Sequence, residues 1–367
     1  MGMLRGDLSV TSGWWFPCQR HRGVYGVLSV QAGPLAPALF VFGDSTFDSG
    51  NNNLLPTLAK ANYLPYGDNF SGGVTGRFTN GRNIPDFLAE FLGLPYAPPY
   101  LSFRTSVVIT GLNFASGACG ILPETGDYLG KCLNLDDQVR LFESAARNDL
   151  PRLFKSSDEF SSYLAKSIFT FSIGNNDYIN NYLIPTLYNT SKTYEPWPFA
   201  KLLGAALSRH LERLYNMGAR KFVVFQIGPI GCIPTIAKKS KHDGVCDEGP
   251  NLLVSYFNQM LQLMLQNMTS SLTRSMFVLG RANPLGYDAI INPSIYGLTD
   301  SRNPCCTTWG NGSFSCVPFL TPCRDADKHF FWDGYHLTDT VSSIIASRCF
   351  NDTIVCSPVS IQDLVQI

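Results

Sequence analysis

The sequence predicts an α/β protein, a mostly parallel sheet with helices on both faces. Three observations carry this. Short apolar, β-rich runs recur along the chain, helical patterns separate them, and several runs end in polar, glycine-containing segments. Residues 38–42 form the first run and end at Gly43-Asp44-Ser45. Residues 83–92 have helical spacing and stop at Gly93. Residues 167–173 read as a second strand, ending at Gly174-Asn175-Asn176-Asp177. Residues 199–217 are a long amphipathic pattern stopped by Gly218, and 221–227 a third strand ending at Gly228-Pro229. A helix over 252–273, a strand over 275–279 and a last helix over 338–348 complete the series. Ligands of open parallel sheets bind outside the carboxyl ends of the strands. The segments 43–45, 174–177 and 228–231 are therefore site candidates before any motif is named.

At 367 residues the chain suits either two to three ordinary domains or one large α/β domain. It has no repeat, low-complexity tract or interdomain linker. The reading is an N-terminal segment over 1–36 and a single domain over 37–367 with long loops. Lys+Arg and Asp+Glu are both 28. With no basic excess, nucleic acid is not an expected partner. Apolar residues at 45% and aromatics at 13% supply a sizeable core. Charged residues are only 15%, well under the usual share, so Asn, Ser, Thr or sugars must solubilise the surface.

The eleven cysteines contain no C-x-x-C pair, which removes the main support for zinc-ribbon and thioredoxin-like readings. Cys119 and Cys132, Cys232 and Cys246, and Cys349 and Cys356 sit as local pairs, and four more cluster between Cys305 and Cys323. Short disulfide-closed loops are common in secreted proteins; buried free thiols are the alternative. Glycosylation sequons at Asn69, Asn189, Asn267, Asn311 and Asn351 agree with export. The expected location is secreted or extracellular, with the cell wall as one destination. The export signal is atypical. The first 22 residues mix Trp14, Trp15, Cys18, Arg20 and Arg22, and the apolar stretch 23–30 is short. Cleavage after Ala32 would remove Cys18 and leave ten cysteines; a true N-terminal extension and a misassigned start are the other readings. No stretch approaches the length of a membrane span.

The chain lacks G-x-G-x-x-G, a Walker loop, H-E-x-x-H and G-x-S-x-G. Five histidines make a His-rich metal site a poor expectation. Ser45, leaving the first strand between Gly43 and Gly50, can sit exposed near backbone N–H groups. A serine needs a base to take its proton and donors for the oxyanion it creates. Alone, Gly-Asp-Ser is a weak signal and reads first as a turn or a helix cap.

Its surroundings alter that. The run 40–53, with Gly43-Asp44-Ser45-Thr46 and Asn51-Asn52-Asn53, closely resembles the first block of the GDSL esterase/lipase family of SGNH hydrolases. Residues 111–117 resemble the second block, Gly174-Asn175-Asn176-Asp177 the third and 331–336 the last. Residues 76–82 and 84–87 resemble the plant branch. The likeness runs from about residue 37 to the C-terminus. Thr46 departs from the usual Leu at a position that does not react.

The resemblance implies a three-layer α/β/α, flavodoxin-like fold and a Ser-His-Asp triad. Ser45 is the implied nucleophile, His336 the general base and Asp333 the residue that orients it. The implied oxyanion donors are the Ser45 and Gly117 backbone N–H groups and the Asn176 side chain. The other readings are a turn for Gly117, a helix cap for Asn176 and Asp177, the preferred one for Asp177, and His329 in place of His336, although His329 has Ala326 three residues before it. Asp44 and Asp48 read as loop-holding acceptors and Trp332 as packing beneath the loop. An imidazole base predicts activity falling around pH 6–7 as it protonates. The implied substrates are small-molecule or lipid-like esters, with no cofactor or metal and a monomer as the expected state. Polysaccharide O-acetyl esters are the second substrate class; an apolar slot would favour lipid and an aromatic-lined groove sugar. The rival from another class is a secreted binding glycoprotein with a vestigial site.

Overall fold

The computed structural model describes residues 33–102, 109–310 and 314–367. The export segment, Cys18 and the Asn311 sequon lie outside the described residues. Four parallel strands form the centre: β1 (Leu39–Gly43), β2 (Ile168–Ser172), β3 (Lys221–Phe225) and β4 (Met276–Gly280), side by side in chain order. Their Val, Ile and Phe side chains alternate between the two faces, as the two-residue period of a strand requires. Phe40, Phe42, Phe169, Phe171, Phe222 and Phe277 point one way into a single buried cluster. Leu39, Val41, Ile168, Val223, Phe225 and Val278 point the other way into a second.

Helices cover both faces. The phenylalanine face packs against α2 (Leu135–Ser144), α3 (Ser157–Lys166), α4 (Pro196–Asn216) and α5 (Glu248–Ser271). The opposite face packs against α1 (Ile84–Leu92), α6 (Ala282–Ile291) and α7 (Asp339–Asn351). The α/β class and the four expected strands are as the sequence predicts. Helix α1 begins where it should: Asn83 and Asp86 form a reciprocal capping box, and Gly93 at φ 72° ends it. Helix α4 starts earlier than its periodicity, because prolines are tolerated in a first turn whose N–H groups have no helical acceptor.

The second motif block runs alongside β1. Leu39 N–H donates to Thr110 O (3.1 Å), Val41 N–H to Leu112 O (3.0 Å) and Phe114 N–H to Val41 O (2.7 Å). Gly111 permits this approach, since a Cβ there would lie 2.0 Å from Leu39 O. Three short strands were not anticipated: β5 (Asp300–Pro304), parallel to β6 (His329–Phe331), and β7 (Cys356–Ser357), antiparallel on β4. Disulfides join 119–132, 232–246 and 349–356, as the local spacing suggested, and the four-cysteine cluster pairs as 305–323 and 306–316. Five disulfides fit a protein of the secretory pathway. Asn69, Asn189, Asn267 and Asn351 are exposed. No helix among the described residues is long and apolar enough to cross a membrane.

Candidate active site

Strand β1 delivers Ser45. Gly43 lies so close to β2 that a Cβ would sit 2.4 Å from Ser172 O, and the Gln138 side chain clamps both its N–H and its C=O at 2.8 Å. Beyond it the chain turns through Asp44, which accepts from Thr46 N–H (3.0 Å) and Asn175 Nδ2 (2.8 Å). Burial raises the Asp44 pKa against those two donors. Asp48 binds the N–H groups of Gly50, Asn51, Asn52 and Gly117, and burial raises it to about 6. Both are loop-holding acceptors.

The loop between β6 and α7 delivers His336. Its Nε2 lies 2.8 Å from Ser45 Oγ, and its Nδ1 lies 2.9 and 2.8 Å from the two oxygens of fully buried Asp333. Asp333 Oδ1 also accepts the N–H groups of Tyr335 (2.8 Å) and His336 (2.7 Å). The D-x-x-H loop therefore folds onto its own carboxylate. Burial alone would raise the Asp333 pKa, but the charge and hydrogen bond of His336, with the Tyr66 hydroxyl, hold it below the ordinary value. Phe78, from the motif at 76–82, lies against the imidazole with ring centres 5.0 Å apart.

Tyr66 was missed by the sequence reading. Fully buried, it donates its hydroxyl to Asp333 Oδ2 at 2.5 Å and accepts Cys316 N–H at 3.2 Å. A lone tyrosine in Leu-Pro-Tyr-Gly carries no local sign of a partner 267 residues away.

Asn176 faces the same space. Its Nδ2 donates to Cys119 O (3.0 Å) and its Oδ1 accepts from Asn180 (2.9 Å), which leaves one amide hydrogen for a ligand. Asp177 turns inward instead, holding Ile121 N–H, Leu122 N–H and the Thr125 hydroxyl. Gly117 is near but differently used: its N–H goes to Asp48 Oδ2 (3.2 Å), and it is not part of the cavity wall. The next residue, Ala118, does line the cavity, in the left-handed conformation at φ 72°. Among the described residues, nothing accepts the Ser45 or Ala118 amide hydrogens. His329 sits against Cys323 and the Asp325 carbonyl and is not in the cavity wall. Trp332 is fully buried beside Tyr66 and Phe78.

Ser45, Asn176 and His336 open into a cavity of about 290 Å³. Its wall is mainly apolar, including Leu58, Leu129, Ile179, Pro229, Phe330 and Leu337. Gln226 is a polar exception, and its Oε1 has no hydrogen-bond partner among the described residues.

This geometry agrees with the comparisons to known proteins. Residues 39–349 match the GDSL-like lipase/acylhydrolase family. The chain is 44% identical to GDSL esterase/lipase 7 of Arabidopsis thaliana over 343 residues, covering 91% of this chain and 93% of that protein. The chain belongs to the GDSL esterase/lipase family. Two further GDSL esterase/lipases of the same plant are 40% and 41% identical, across 91% and 90% of this chain and 86% and 88% of theirs. The four motif blocks of this GDSL protein all fall within the matched region.

Proposed function

We propose that the protein is a secreted serine esterase acting on carboxylic esters with an apolar acyl group. Ser45 Oγ attacks the ester carbonyl carbon while its proton passes to His336 Nε2. Asp333 fixes the imidazole so that Nε2 faces the serine and stabilises the imidazolium. The tetrahedral oxyanion takes hydrogen bonds from Ser45 N–H, the Asn176 amide and Ala118 N–H, the last in place of Gly117, whose N–H is held by Asp48. Collapse breaks the bond to the alcohol oxygen, which leaves with the proton from Nε2. Water then gives a proton to Nε2 and attacks the acyl-enzyme; the acid departs and Ser45 regains its hydrogen.

The observation that carries this reading is the unbroken chain Ser45 Oγ–His336 Nε2–Asp333, at 2.8 Å on each side of the imidazole. The wall also carries aromatic residues, Phe78, Tyr128, Phe314 and Tyr335 among them, but its buried aliphatic part, with Ile84, Ile230, Ile290 and Ile345, supports lipid-like acyl esters over polysaccharide acetyl esters. Activity on chromogenic acyl esters tests it. Wild type should turn them over, and Ser45→Ala should lose roughly 10³–10⁶-fold in rate. Equal rates would overturn the mechanism, and absent activity on every ester would favour a binding glycoprotein.

A further inference from the structure

The cavity has an exposed end and a buried end. Leu58 and Phe314 at one end are largely exposed, whereas Phe225, Ile290, Phe330 and Ile345 are 2–4% exposed. The buried residues belong to β3, β6, α6 and α7, so this arm enters the space between the sheet and the α6–α7 layer. An ester held with its carbonyl carbon at Ser45 presents two substituents, the alcohol and the acyl chain.

Gly286 stands in the wall of that arm. It lies inside α6, where glycine weakens a helix. Its φ is not positive, so the backbone conformation does not require glycine. Packing leaves room for a side chain only if its neighbour gives by a few tenths of an ångström. An added Cβ would meet Pro229 Cδ at 3.3 Å, Pro229 Cγ at 3.7 Å and Phe330 Cζ at 3.8 Å, all in the cavity wall. Gly204 in α4 is a contrast, because a Cβ there would strike Met260 Cε at 2.1 Å. Gly204 serves helix packing; Gly286 keeps space open.

We propose that the buried arm is an acyl-chain channel and that Gly286 sets how long a chain it admits. This rests on the esterase reading and specifies it. A side chain at 286 would grow between Pro229 and Phe330, across the path of the chain. The carbonyl carbon and the first carbons lie at Ser45, so short esters are unaffected. Each further methylene that loses its apolar surroundings costs roughly fourfold in kcat/KM.

The experiment compares wild type, Gly286→Ala, Gly286→Leu and Ser45→Ala on nitrophenyl acetate, butyrate, octanoate and dodecanoate. Acetates of graded alcohols form a second arm. Gly286→Leu should keep acetate hydrolysis within about twofold and lose the octanoate by tenfold or more. Gly286→Ala, a better helix former, should trim only the longest chains and keeps the test open if the leucine variant misfolds. An unchanged acyl profile, a uniform loss across all lengths, or selectivity that follows the alcohol would overturn the channel. Wild type inactive on every ester would instead overturn the esterase reading.

Discussion

Tyr66 shows how one hydroxyl can support the proposed triad without joining it. A buried carboxylate is costly unless each oxygen is paired. His336 Nδ1 approaches both Asp333 oxygens, and Oδ1 also has two backbone donors, whereas Oδ2 otherwise relies on Tyr66. Tyr66→Phe keeps the ring and removes that donor. A hydrogen bond to a charged group is worth about 1.5–3 kcal/mol, so kcat should fall roughly tenfold or more while KM holds. The Asp333 carboxyl loses one group that keeps its pKa low, so the acid limb of the rate should move to higher pH. A pH–rate profile identical to wild type, with only a lower melting temperature, would reduce Tyr66 to packing. Ser45, Asp333 and His336 were legible because the motif blocks carry them. Tyr66 was not, because its partnership exists only across the folded chain.

Among the elements, the disulfide-linked cysteines between 305 and 323 hold the Asp333–His336 loop in place. Cys305 N–H donates to Phe331 O (3.0 Å), Cys306 N–H to Trp332 O (2.9 Å) and Cys316 N–H to the Tyr66 hydroxyl (3.2 Å). The disulfides 305–323 and 306–316 therefore brace both the chain before His336 and the tyrosine behind Asp333. The pair Cys306→Ser with Cys316→Ser should lower kcat at temperatures where the protein remains folded. The pair Cys349→Ser with Cys356→Ser, which frees the end of α7 from β7, should cost a disulfide's usual ~2–4 kcal/mol of stability, read as a lower melting temperature, with kcat retained. Activity assays beside thermal melts separate the two, and equal kcat in both would remove the bracing role. Strands β1–β4 were readable from apolar runs, and α1 from its cap. Helices α2, α3 and α6 were not, since α2 and α3 are polar on average and α6 carries Pro284 and Gly286, both poor helix formers.

For the whole molecule, buried carboxyls set a pH dependence of stability. Burial raises Asp177 from 3.8 to about 7, with the charge of Glu124 adding to it, and raises Asp48 to about 6. The folded state then binds more protons than the unfolded chain between about pH 4 and 7, so these groups stabilise at low pH and lose that contribution as pH rises. His210, lowered by burial to about 4, acts in the opposite sense between about pH 4 and 6.5. Comparing wild type with Asp177→Asn cancels His210, which both share. The stability of wild type relative to the variant should fall between about pH 4 and pH 7, measured by denaturant unfolding. A constant difference across that range would sink the assignment.

The order of the four central strands with helices α1, α4, α5 and α7, the local cysteine pairs and the motif residues were decided by the sequence itself, because each depends on neighbours a few positions apart. The pairing inside the four-cysteine cluster, the tyrosine behind Asp333, the glutamine clamping Gly43 and the cavity wall gathered from residues 44 to 345 were decided by the tertiary structure. Those contacts join segments that meet only after the sheet forms, and no local periodicity encodes which distant side chains will face one another.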